Sequence, residues 1–215
     1  MKLNCCSWII IIIVILGIFL IISSVIDNKK ESSQNKTGVN QEKNNELQKA
    51  DFITMYNQIN TEVYNSRSMA YYAVNTITKV SSSNAYNLLK DNEEAQRKCS
   101  LYFTYSSFSM PDSLKEYQKD IEQSLNELSN ACSILQTYSK NMAEYINTND
   151  LKYSRNSSEA LKQEPTKLES NAMSRLIYGI GEKIGIDVEK LKSEYENMNN
   201  QIEQGYNDFL KSRGL

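Results

Sequence analysis

Between Gly38 and Gly179 the chain has no glycine, and Pro111 and Pro165 are its only prolines. Glycine makes tight and left-handed reversals at no steric cost, so a stretch without it has few places to turn sharply. Such a stretch must be built from long elements joined by few connections. Sustained apolar–polar alternation, the mark of a half-buried strand, is hard to find outside the N-terminal apolar run, whereas steps of three and four recur throughout.

Five stripes carry the helical pattern. Phe52, Tyr56, Ile59, Val63, Ser66, Ala70, Ala73, Ile77 and Val80 lie on one face of a first long helix. Ser81-Ser82-Ser83-Asn84 interrupts it and offers side-chain caps for a second, whose stripe is Ala85, Leu88, Ala95, Cys99 and Tyr102 with a polar gap at Asn92. Ser109 and Pro111 mark the next start, because proline's fixed φ and missing N–H suit a first helical turn. The third stripe is Leu114, Tyr117, Ile121, Leu125, Leu128, Cys132, Leu135, Tyr138, Met142 and Tyr145. Its near-3.5 spacing is that of coiled-coil-like packing.

The polar run from Asn147 to Asn156 reads as a loop. Pro165 breaks or starts a short helix, with Leu168, Ala172 and Leu176 on one face before Gly179 stops it. Asp187 is the expected N-cap of a last helix that turns Val188, Leu191, Tyr195, Met198, Ile202 and Phe209 inward. Most of the 14 tyrosines fall on or beside these stripes, where the ring buries apolar area and the hydroxyl reaches the edge.

The N-terminus adds an anchor. No charged residue occurs between Leu3 and Ile26, and Trp8 to Ile22 is almost wholly Ile, Leu, Val and Phe. About twenty helical residues span the roughly 30 Å hydrocarbon core of a bilayer. Residues 7–26 therefore read as an uncleaved transmembrane helix with its partner in the lipid bilayer. A cleaved signal peptide is the weaker reading, because the apolar core is long and Ile22 and Ser24 make a poor cleavage site. Residues 27–46 hold one apolar residue, Val39, and read as a polar flexible stalk.

The expected architecture is thus all-α. A short tail (1–6), a single transmembrane helix (7–26) and a stalk (27–46) precede an antiparallel bundle of four to five helices with coiled-coil-like packing (47–215). For orientation, Lys29, Lys30 and Lys36 outnumber Lys2 and favour a cytoplasmic bundle. A short tail before a long apolar run is instead the layout of a signal-anchor with the bundle outside, and that layout is the expectation here.

Chemistry is sparse. The chain contains 0 histidines, which excludes imidazole bases, imidazole metal ligands and histidine-oriented nucleophiles. With 24 basic against 26 acidic side chains it is no strongly basic nucleic-acid binder. The 4 cysteines form no metal motif. Cys99 and Cys132 both sit on core stripes; with the hairpin tip placed near Met110 they would differ in height by roughly 16 Å, so free buried thiols are expected rather than a bridge. That expectation weakens the case for an oxidising compartment. No pair among the carboxylates is singled out, so no catalytic residue, cofactor or metal site is assigned.

One local pattern stands apart: Leu176-Ile177-Tyr178-Gly179-Ile180-Gly181-Glu182-Lys183-Ile184-Gly185. Its Gly-hydrophobic-Gly core resembles the hairpin of the helix-hairpin-helix family. The resemblance implies that the backbone N–H groups of Gly179, Ile180 and Gly181 hold a DNA phosphate with Lys183 nearby, as in membrane-anchored competence DNA receptors. The plainer reading is a glycine-rich turn between two helices. Glu182, Asp187 and Glu189 lie close by, whereas phosphate binding draws on Lys and Arg, so nucleic acid ranks second as a partner. The leading expectation is a membrane-anchored, non-enzymatic interaction or scaffold module for a protein or surface partner, with DNA capture or a membrane-tethered cytosolic scaffold as alternatives.

Overall fold

The computed structural model describes residues 36–104 and 109–212, with side chains described over 43–104 and 109–211. The described elements are α1 (Lys36–Thr76), α2 (Ser82–Phe103), a 3-10 turn (Asp112–Tyr117), α3 (Gln118–Thr148), α4 (Leu151–Leu161), α5 (Pro165–Ser174), a π-helical turn (Arg175–Gly181) and α6 (Val188–Ser212). Residues 41–215 form one unit. No described helix is long and apolar enough to cross a membrane, and the candidate span 7–26 lies outside the described residues. Over 36–46, part of the stretch read as a stalk, the backbone is the start of α1.

The first stripe is buried at Phe52, Tyr56, Ile59, Val63, Ser66 and Ala73, whereas Ala70 is half-buried and Ile77 and Val80, also half-buried, follow the end of α1 at Thr76. The chain then reverses through residues 77–81, and the Ser81 side chain accepts from the Asn84 N–H at 3.4 Å to cap α2. The buried face of α2 is Ala85, Leu89, Asn92, Gln96, Cys99 and Phe103. Leu88, Ala95 and Tyr102, expected inward, are only half-buried. The difference has a physical cause. Asn92 and Gln96 are polar but find partners on neighbouring helices, so the helix turns toward them instead of away.

Those partners form a ladder across three helices. Ser66 Oγ donates to Gln96 Oε1 (2.7 Å), and Gln96 Nε2 donates to the Ser66 carbonyl (2.9 Å) and to Asn92 Oδ1 (3.0 Å). Asn92 Nδ2 then donates to Ser139 Oγ on α3 (2.7 Å). All four side chains are buried. A satisfied buried network specifies register, and its partial loss strands the remaining members. Gln96→Ala leaves Asn92 Oδ1 without its donor and the Ser66 hydroxyl with only the Cys132 sulfur at 3.7 Å, and is expected to cost about 2–3 kcal/mol. A urea midpoint unchanged by this substitution would contradict the ladder.

The third stripe is buried at Leu114, Ile121, Leu125, Leu128, Cys132 and Tyr138. Asn149 ends α3 in the left-handed region (φ 56°), its N–H bonded to the Tyr145 carbonyl at 2.7 Å, and Asp150 caps α4 by accepting from the Lys152 N–H at 2.9 Å. The loop expected over Asn147–Asn156 is therefore a two-residue joint followed by a helix. α4 escapes the apolar pattern because it buries only small residues, Ser157 and Ala160, against α3.

α4 and α5 form one rod, broken at Glu164 (φ 52°) and Pro165, as proline's missing donor requires. Met142 meets Ser157 and Glu127 meets Arg175, so the whole rod runs antiparallel to α3. The helix does not stop at Gly179: it continues as the π-helical turn, and the reversal comes at Gly185 (φ 76°). Asp187 then caps α6 as expected, accepting from the Lys190 N–H at 3.2 Å. Leu191, Arg67's partners Tyr195 and Asn199, and Tyr206 advance alongside Tyr56, Arg67 and Thr76, so α6 is parallel to α1. Counting the broken rod once, five rods pack together among the described residues.

The largest correction concerns the cysteines. Cys99 and Cys132 are joined by a disulfide, with Cα atoms 5.9 Å apart. The facing pairs Asn92–Ser139 and Cys99–Cys132 both centre between residues 115 and 116, not on Met110. That displacement shifts the register by about eleven residues, which removes the ~16 Å height difference. The connection after α2 is not a tight tip. Its 3-10 turn buries Leu114, and Gln48 Nε2 of α1 donates to the Ser113 carbonyl at 3.0 Å, so the chain climbs along α1 before α3 begins.

Candidate functional site

Pro165 sets the register of α5 so that Pro165, Glu169, Ala172 and Met173 all face inward. One of these is a carboxylate. Glu169 is 8% exposed, and a buried charge must find a partner. It pairs with Arg67 of α1 and accepts from the Tyr195 hydroxyl of α6 at 3.0 Å. Arg67 also donates to the Tyr195 oxygen (2.7 Å) and to Asn199 Oδ1 (3.1 Å), and its guanidinium lies 5.0 Å from the Tyr195 ring centroid. Three rods are thus tied at one point by an arginine–tyrosine–glutamate cluster.

Burial dominates the electrostatics. It raises the Glu169 carboxyl above the usual carboxylate range, against the pull of Arg67 and Tyr195. Burial also pushes the Tyr195 hydroxyl well up, with the Glu169 charge adding to it. Tyr195 therefore stays protonated and donates. The cluster is arranged to hold charge in place.

Beside it opens a cavity of about 460 Å³, within the ~300–1,000 Å³ range of small-molecule sites. Its apolar lining comes from Ala70, Tyr71, Val74, Leu135, Ile202 and the buried Pro165, with the exposed Thr166 beside the break in the rod. Its polar groups are Arg67, Glu169, Asn75, Asn199 and Glu203. Val74, Asn199 and Glu203 are exposed and form the rim. A second depression shares Pro165 and Thr166 and runs to the exposed Leu161.

The glycine-rich segment lies elsewhere. Gly179, Ile180 and Gly181 belong to the π-helical turn, where i to i−5 hydrogen bonds engage backbone donors. Ile180 and Gly181 are buried, and a Cβ on Gly181 would stand 3.4 Å from the Phe52 ring. The following N–H groups are also engaged: Glu182 bonds the Ile177 carbonyl (3.2 Å) and Ile184 the Ile180 carbonyl (3.1 Å). Lys183 is exposed, 3.9 Å from the Asp120 carboxylate. The structure brings these residues together as a packed turn against α1, not as an open hairpin.

Sequence reasoning missed Arg67, Glu169 and Tyr195 as a group. Arg67 follows Ser66 on the first stripe, and Glu169 follows Pro165 by one turn, but nothing local marks either as a partner of the other. Among the described residues no cluster of three or more Cys, Asp or Glu side chains is placed to hold a metal ion. No protein-family model, no curated protein and no solved structure matches the chain.

Proposed function

We propose that this chain is a single-pass membrane protein whose helical bundle stands outside the cytoplasm and serves as a non-enzymatic interaction module. The observation that carries the reading is the Cys99–Cys132 bridge. Structural disulfides form and persist in oxidising compartments, while cytosolic thiols are kept reduced. This reverses the weight that the cysteines carried when read as free thiols. The charge-free run over 7–26 supports the anchor. The near-3.5 spacing along α3 supports coiled-coil-like packing within the bundle. The cavity at the broken rod supports a binding role, since its wall is apolar and a few charged side chains converge on it.

The test is a topology reporter fused after Leu215, using an enzyme that becomes active only outside the cytoplasm. Activity is expected. A reporter that is inactive there but active in its cytoplasmic form would leave a membrane-tethered cytosolic scaffold in place of this reading.

A further inference from the structure

We propose that the cavity beside the Arg67–Glu169–Tyr195 cluster is a binding site for an alkylammonium group, a primary amine carried on an apolar stem. The proposal names the ligand class of the interaction module and rests on that reading.

The charge balance of the cavity favours a cation. Of the charged residues lining it, Arg67 is positive and Glu169 and Glu203 are negative. Arg67 is fully engaged: its guanidinium serves the Glu169 carboxylate, the Tyr195 oxygen and the Asn199 amide oxygen. One net negative charge therefore remains for a ligand, and it is held in a space whose wall is otherwise aliphatic and aromatic.

Glu169 itself is incompletely compensated. It is a buried carboxylate, and both Arg67 and Tyr195 contact its Oε1. Glu169 also lines the cavity, where its carboxylate is within reach of a ligand. Burial raises the Glu169 pKa against those two partners, and a cation entering the cavity would relieve that environment.

The shape of the cavity suits a stem with a charged end. Glu203 and Ile202 are neighbours on α6, one exposed at the rim and the other buried. Tyr71 and Val74 face them from α1, so an apolar stem can lie along Ile202, Val74 and Tyr71 with its ammonium toward the carboxylates. The Tyr71 ring adds an aromatic surface of the kind cations favour. An anionic ligand would meet two carboxylates and no free guanidinium.

The test uses the full chain in detergent micelles, titrated with n-pentylammonium, 1-pentanol and n-pentanoate and followed by calorimetry. Pentylammonium is expected to bind, pentanol about tenfold more weakly because it lacks the charge-assisted contact, and pentanoate not at all. Glu203→Gln, a change on an exposed side chain that leaves the core intact, is expected to weaken pentylammonium about fivefold. A second arm uses the peptide acetyl-Gly-Lys-Gly-amide. Peptide binding as tight as the free amine assigns the site to a lysine side chain of a partner, and binding of the free amine alone assigns it to a small amine. Equal binding of pentanol and pentylammonium, preferred binding of pentanoate, or indifference to Glu203→Gln overturns the proposal. Should no amine bind while the Leu215 reporter remains active outside, the ligand class falls and the anchored module stands.

Discussion

Reducing the Cys99–Cys132 bridge is expected to lower the stability of the helical domain by about 3–4 kcal/mol and its urea midpoint by about 2 M. The bridge closes a loop of 33 residues, and the chain-entropy relation for a loop of that length gives about 3.7 kcal/mol at 25 °C. Reduction is the cleaner perturbation than substitution. Both sulfurs stay in the core, where Cys99 is 1% and Cys132 4% exposed, so no cavity is added to the loss. The same two helices are also held by Asn92–Ser139 and by Ser100 with Ser129 and Ser133. Those contacts exist only in the folded state. They cannot restrict the unfolded chain, which is where a cross-link acts in the entropic account. Equilibrium urea unfolding with and without reductant measures the effect. A midpoint shift under about 0.5 M would mean that the reduced chain is already restrained.

The second large effect belongs to Arg67→Met. Methionine keeps the apolar stem but leaves Glu169 a buried carboxylate with one remaining donor, the Tyr195 hydroxyl. Removing one member of a buried ion pair costs about 3–5 kcal/mol, because the other charge stays behind. The pH dependence has a definite sign. Burial already raises the Glu169 pKa, and Arg67 is the largest influence holding it down, so the substitution raises it further. A carboxyl whose folded pKa exceeds its unfolded value of about 4.3 favours folding only while it is protonated. The deficit of Arg67→Met should therefore be small below that pH and grow as pH rises through the folded value. Glu169→Gln should lose less, because Arg67 keeps Asn199 and the Tyr195 oxygen as acceptors. Thermal unfolding of both variants across pH 4 to 8 decides the matter. A loss in Arg67→Met that does not change with pH would contradict the account.

The stripes on α1 and α3 are legible in the sequence because their inward residues are apolar and the period alone places them. α2 is not, at Asn92 and Gln96. Their burial depends on Ser66 and Ser139, which lie far away in sequence, and no local pattern carries that information. α4 is hidden for a related reason: a helix that buries Ser157 and Ala160 shows no apolar face. The disulfide is missed through one assumption, a tight tip near Met110, where the chain instead climbs through a 3-10 turn. A missing glycine correctly signals long elements, yet the rod break at Glu164–Pro165 needs none.

The candidate site is less legible than the fold. Its residues come from α1, α5 and α6, and each is ordinary among its own neighbours: an arginine after a serine, a glutamate one turn after a proline, a tyrosine on an amphipathic face. Only the packing of the three rods makes them a cluster. The glycine-rich segment shows the reverse. It is the most distinctive local pattern, and it is spent on a π-helical turn that packs Ile180 and Gly181 against the core.

The central claim, a bundle folded outside the cytoplasm and stapled there, is tested most directly by the redox state of Cys99 and Cys132 in growing cells. A Cys5→Ser, Cys6→Ser variant confines the measurement to this pair. Cells are quenched in acid, and the denatured chain is treated with a maleimide polymer before or after reduction. The account predicts no adduct before reduction and two after it, as a single intramolecular bridge requires. Two adducts without reduction would show free thiols in the cell and contradict it.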